Sequence, residues 1–222
     1  MSSNLGIMHK NDVAVLVAQQ AQQLLAVKDK LHSLESSLAT KRALGRHISE
    51  EQGSSFIRWG RKSCPENTTL VYAGVAGGKQ YDQKGSGTNR LCLTRTPQFD
   101  NTIKPAGYGY LHGAEYEHIR YHHNRVVPCS VCLAPQSTTI MVPATLTCPP
   151  GWTPHYSGHL ASQYKDHYAT EYVCLDGSLE DDSTVMNQGN GLLFYFVMTV
   201  CGSLPCPPYI NDKVVTCVVC SK

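Results

Sequence analysis

The chain is poor in charge. Asp, Glu, Lys and Arg make up 16% of its 222 residues and the formal net charge is +2, against roughly 25% charged residues in an average soluble protein. That balance supplies neither the basic face that nucleic acid requires nor a polybasic membrane anchor. No apolar stretch approaches the roughly 18 residues of a membrane-spanning helix. The longest, LLFYFVMTVC at 192–201, suits a buried strand. Catalytic signatures are missing as well: G-x-S-x-G, the P-loop and H-E-x-x-H do not occur. GYGYLHG at 107–113 only imitates a dinucleotide loop, since its third glycine comes one residue late and no βαβ pattern surrounds it; its glycines read as turns. The expectation is a non-enzyme without a cofactor. MSSNLGIMHK lacks the basic start and apolar run of a secretory leader, which points to a mature or truncated form with an added Met.

One segment has no Gly, Pro or Cys at all. Residues 13–38 are rich in Ala, Gln, Leu, Lys and Val, and their apolar positions follow a 4-3-4-3 series. Val17, Leu24, Leu31 and Leu38 take the a positions of a heptad, and Val13, Gln20, Val27 and Leu34 the d positions. Lys30 at g and Glu35 at the following e′ form an opposite-charge pair across a parallel interface. Leu at a with β-branched residues at d favours three or four strands over two, and a homotrimer is expected. The alternative is an amphipathic helix packed on its own domain, for which Leu16 and Leu25 lie off the seam. Gly45 and then Gly53-Ser54-Ser55 read as the end of the helix and a short linker. The expected organisation is an N-terminal tail at 1–12, a coiled-coil stem at 13–44, a linker at 45–55 and a mostly β head in two halves, 56–143 and 144–222.

The head is where short strand-like runs alternate with Gly, Pro, Asn and Ser. TLVYAG (69–74), TTIMV (138–142), EYVCL (171–175), LLFYFVMTV (192–200) and KVVTCVV (213–219) carry β-branched and aromatic residues. Ten cysteines, an even number set beside turn residues, favour disulfides and hence a secreted, extracellular setting. Eight of them recur in one order. Cys64-Pro65, Tyr72-x-Gly74, Leu91-Cys92-Leu93 and VVPCSVC (126–132) are matched by Cys148-Pro149, Tyr156-x-Gly158, Val173-Cys174-Leu175 and VVTCVVC (214–220). In both, Tyr follows the first Cys by eight positions and Gly by ten. The head therefore reads as one unit written twice. Cys201 and Cys206, in CGSLPC, are additional and close enough to bond each other. Within each half the expected pattern sends the Cys-Pro and Cys-Leu cysteines to the two members of C-x-x-C, here Cys129 and Cys132, then Cys217 and Cys220. Four cysteines nevertheless permit three connectivities per half.

Two further chemistries are open to C-x-x-C pairs. Zinc ribbons keep their pairs about 15–20 residues apart, unlike these. Thioredoxin-type redox chemistry needs a helix after the motif, and VVPCSVCLAP and VVTCVVCSK open none. Histidine is the other unusual feature: HGAEYEHIRYHHNR (112–125) reads as a polar, partly aromatic surface loop. Metal binding by Glu115, His118, His122 and His123 is its chemical alternative. Tyr108, Tyr110 and Tyr116 offer stacking faces for a ligand, with burial as the competing role. Asn67-Thr68-Thr69 is the one N-glycosylation sequon.

Several of these stretches resemble a known family. WGRKSCP (59–65), LVYAGVAGG (70–78), YLHGAEYE (110–117), TCPPGW (147–152), EYVCLD (171–176) and CGSLPCPPYINDKVVTCVVCSK (201–222) look like the C-terminal non-collagenous domain of sponge short-chain, spongin-type collagens and related invertebrate secreted proteins. The likeness spans about residues 57–222. It implies an extracellular, matrix-type protein whose chains associate in threes, with two cysteine-rich halves and no catalytic residues. One departure stands out: the chain has no Gly-X-Y tract and carries a heptad segment instead. The expected function is a secreted, disulfide-stabilised, homotrimeric structural or assembly module. A trimeric lectin-like protein binding glycans or microbial surfaces is the alternative, and matrix components or glycans are the expected partners.

Overall fold

The computed structural model describes residues 10–51, 53–103, 105–119, 121–186 and 189–222. The chain divides into two compact units, one closing at Glu51 and the other opening at Gln52.

Among the described residues the first unit is a single helix, α1 (Lys10–Glu51), of 42 residues. At 1.5 Å per residue it is about 63 Å long. It begins within the expected tail and continues past Gly45, which was expected to end it. One glycine in a helix interior costs only about 1 kcal/mol, and no proline lies nearby to remove a donor. The linker at 45–55 is correspondingly shorter, because strand structure begins at Ser54. Val13, Val17, Leu24, Val27, Leu31, Leu34 and Leu38 are all exposed in the single chain, as are Leu16 and Leu25. No described helix is long and apolar enough to cross a membrane.

The second unit is β-rich. Its strands are β1 (Ser54–Trp59), β2 (Thr69–Gly78), β3 (Leu91–Thr94), β4 (His112–Tyr116), β5 (Arg125–Val126), β6 (Pro128–Ala134), β7 (Thr139–Pro143), β8 (Thr153–Ser162), β9 (Val173–Asp176), β10 (Asp182–Met186), β11 (Leu192–Phe196) and β12 (Thr216–Ser221). β6 lies between β1 and β2, antiparallel to both, and β3 extends β2. β12 lies between β7 and β8, again antiparallel to both, and β9 extends β8. β7 thus hydrogen-bonds with the last strand of the chain, so residues 138–142 belong with the second group rather than with the 56–143 segment.

Four further pairings join the groups. β1 meets β9 in parallel at Trp59 and Leu175, β11 pairs antiparallel with β8, and β11 runs parallel to β4, which also touches the end of β2. A shared core follows from these pairings: Trp59, Ala76, Tyr116, Val127, Val173, Leu175, Leu192 and Phe194 pack in one buried cluster. A second cluster places Phe56, Tyr156, Leu160 and Val219 around three half-cystines. Arg90 is buried beside both groups, donating to the carbonyl oxygens of Glu171 and Leu193, with its guanidinium 4.5 Å from the Phe194 ring centroid. Burial pulls its pKa down to about 10, and the Glu171 charge partly offsets that.

All ten cysteines are bonded. Cys64 bonds Cys132 and Cys92 bonds Cys129; Cys148 bonds Cys220 and Cys174 bonds Cys217; Cys201 bonds Cys206. The Tyr-x-Gly motifs share one geometry. The Tyr72 hydroxyl donates to the Cys92 carbonyl at 2.8 Å, and the Tyr156 hydroxyl to the Cys174 carbonyl at 3.0 Å. A Cβ on Gly74 would overlap the Leu93 carbonyl, and one on Gly158 the Leu175 carbonyl. Only glycine lets the paired strand come so close.

Candidate functional site: a histidine-rich loop beside a tyrosine-lined cleft

The segment 112–125 is a strand followed by a tight loop. Ala114, Glu115 and Tyr116 of β4 are buried, and the buried Ile119 anchors the loop beyond them. His118, Tyr121 and Asn124 take positive φ values of 52°, 69° and 57°. Asn and His enter that region more readily than most residues. Backbone bonds close the turn: the His122 amide donates to Ile119, Arg125 to His122, and Asn124 to Tyr116, each at 3.0 Å. The Glu117 amide donates to Phe194 of β11, also at 3.0 Å.

This fold sorts the candidate ligands. Glu117, His118 and His123 come together, with one donor atom of each within 4.8 Å of the others. His123 Nδ1 lies 3.1 Å from Glu117 Oε2 and accepts from the His118 amide at 3.3 Å. The two histidine rings stack at 5.4 Å. His122 points elsewhere, with Nδ1 3.2 Å from Asp181 Oδ2. Glu115 is wholly buried. Burial holds its pKa above the usual carboxylate range; the Glu117 charge adds to this, while the Gly189 amide and His123 oppose it. Glu117 is thus the residue that sequence reading passed over in favour of Glu115. Alternation along β4 does not reveal which glutamate reaches the loop.

His118 also belongs to the wall of a cleft of about 520 Å³. Tyr164, Tyr172, Tyr195, Phe196 and Met198 line it, with Ser162, Gln163 and Lys165 among its polar members. Tyr195 stands at the centre of the aromatic contacts, 5.8 Å from His118, 5.3 Å from Tyr164 and 6.0 Å from His167. Burial raises its pKa, followed by the charge of Glu117. Of the three tyrosines considered from sequence, Tyr116 is fully buried and donates to the Glu180 carbonyl at 2.7 Å, so it offers no stacking face. Tyr108 and Tyr110 are exposed and meet edge to face at 5.2 Å. The cleft tyrosines come from β11 and from the segment after β8, far apart in sequence. Asn67 is exposed at a turn, as a glycan acceptor must be.

No known protein-family model matches the chain. Five disulfides fit an extracellular or secreted protein.

Proposed function

We propose that the protein is a secreted, non-enzymatic, homotrimeric module of the extracellular matrix type, with α1 as a parallel coiled-coil stem and a head built from a duplicated unit. The exposed seam of α1 carries this reading. Leu24 is 76% exposed in the single chain, Val27 67% and Leu34 62%. A stripe of large apolar side chains in water at heptad spacing is stable only when equivalent stripes cover it. The duplication is supported by the matched order of strands, Tyr-x-Gly contacts and disulfides in the two groups. Kinship with the non-collagenous domain of sponge short-chain collagens rests on the sequence stretches that resemble it, and it agrees with a trimeric, extracellular role.

Sedimentation equilibrium of the oxidised protein tests the assembly. Three chains per particle are expected, and Leu24→Lys with Leu31→Lys should dissociate them while the head keeps its disulfides. A wild-type monomer across the micromolar range, or a trimer indifferent to both lysines, would overturn the reading.

The tyrosine-lined cleft favours a second reading, recognition of glycans. Aromatic faces stack on the apolar faces of sugar rings, and three heads on one stem would multiply weak single-site binding. A glycan array separates the two: competable binding lost in Tyr195→Ala supports recognition, and uniform silence supports a structural module.

A further inference from the structure

We propose that Glu117, His118 and His123 form a divalent transition-metal site, of the zinc class, at the edge of the tyrosine-lined cleft. Two imidazoles and a carboxylate are a donor set that suits zinc and leave a fourth position open. The spacing is close to what an ion needs. Ligands about 2.0–2.1 Å from a tetrahedral ion stand roughly 3.3 Å from one another, and His123 Nδ1 and Glu117 Oε2 are already 3.1 Å apart; an ion there takes the Nδ1 lone pair from its 3.3 Å contact with the His118 amide. The remaining donor of the group lies within 4.8 Å of both. His118 is exposed, so a modest rotation of its ring completes the set.

A second observation points the same way. Glu117, the carboxylate of the set, is buried while both imidazoles are exposed. The ion-pair partner of Glu117 among the described residues is His123, which is half exposed and charged only when protonated. A buried carboxylate favours a cation beside it, because charge taken out of water is costly unless it is paired. A divalent cation bound by Glu117 and the two imidazoles balances that charge while the histidines stay neutral. Since His118 also lines the cleft, an ion held there borders any ligand the cleft takes. The site lies within one chain, so its test does not depend on assembly.

The experiment uses the full, oxidised protein, stripped with chelator and titrated with Zn²⁺. One equivalent per chain is expected, with zinc-induced shifts of the His118 and His123 ring resonances in the wild-type protein. Glu117→Gln and His123→Gln should each weaken binding at least about 10-fold, the loss that even an outer partner of a metal ligand causes. His32→Ala, on the exposed surface of α1, should change nothing. No retained zinc, or retained zinc that leaves the His118 and His123 resonances unmoved, would overturn the proposal. Because the resonances are read in the wild-type chain, the test remains decisive even if a variant folds poorly.

Discussion

Glu115 is the most conspicuous single residue, a wholly buried carboxylate opposed only by the Gly189 amide and His123 among the influences on its charge. Its pKa is raised in the folded chain, so the folded protein holds this proton more tightly than the unfolded chain does. Below the ordinary carboxylate pKa the group is neutral in both states and carries no penalty. As pH rises through that value towards the raised folded one, the unfolded chain releases its proton first and stability falls. Glu115→Gln should therefore stabilise the metal-free protein at neutral pH, with an advantage that shrinks towards zero on acidification. Denaturant midpoints across pH 3–8 would show it; an advantage independent of pH would point to packing instead. At this scale the sequence is informative about residue types and poor on their directions. The histidine-rich stretch is visible as chemistry. Which of Glu115 and Glu117 reaches the loop depends on the pairing of β4 with β11, two strands distant in sequence.

Among the elements, the clearest physical constraint is the approach of β9 to β8 over Gly158. The obstacle to a side chain there is backbone, which cannot rotate aside as a flexible tip would. Gly158→Ala should destabilise the head by about 3 kcal/mol, the upper range of ordinary overpacking, and Gly74→Ala should act similarly on β2 and β3. Guanidinium unfolding with disulfides intact measures both, and a loss below about 0.5 kcal/mol would mean that the strands separate easily. The strands legible in sequence are those with β-branched or aromatic runs, such as β2, β9, β11 and β12. β4, reading HGAEY, and β10, reading DSTVM, lack that signature and are strands because neighbours supply partners for their backbone. The helix is legible from its heptads, but its end is not, because a lone glycine is a weak stop signal.

For the molecule as a whole, the cross-links differ in what they restrain. The chain between Cys64 and Cys132 spans 68 residues and that between Cys148 and Cys220 spans 72, whereas Cys201 and Cys206 are 5 apart. Loop-closure entropy assigns about 4 kcal/mol to each long bridge and about 2 kcal/mol to the short one. Replacing Cys64 and Cys132 together by Ala should therefore lower stability about twice as much as replacing Cys201 and Cys206. Equal losses, read from unfolding midpoints of the two double variants, would refute the entropic ranking. The repeated cysteine order makes this framework legible in the sequence alone. The exchange of strands between the two groups is not legible there, because β1 meeting β9 and β11 meeting β4 leave no periodic trace in either segment.

The placement of β6 and β12 bears on how the protein is made. Each is the middle strand of its group yet comes after both of its flanking strands in the chain. During synthesis β1 and the facing edge of β2 wait for residues 128–134, which arrive some 50 residues after β2 ends. At ordinary translation rates that is a delay on the order of several seconds. Through that interval a nascent chain displays unpaired strand edges and free thiols at Cys64 and Cys92, and the same wait recurs for Cys148 and Cys174. Neither group of strands can therefore close, nor its long disulfide form, until its last-made strand has emerged.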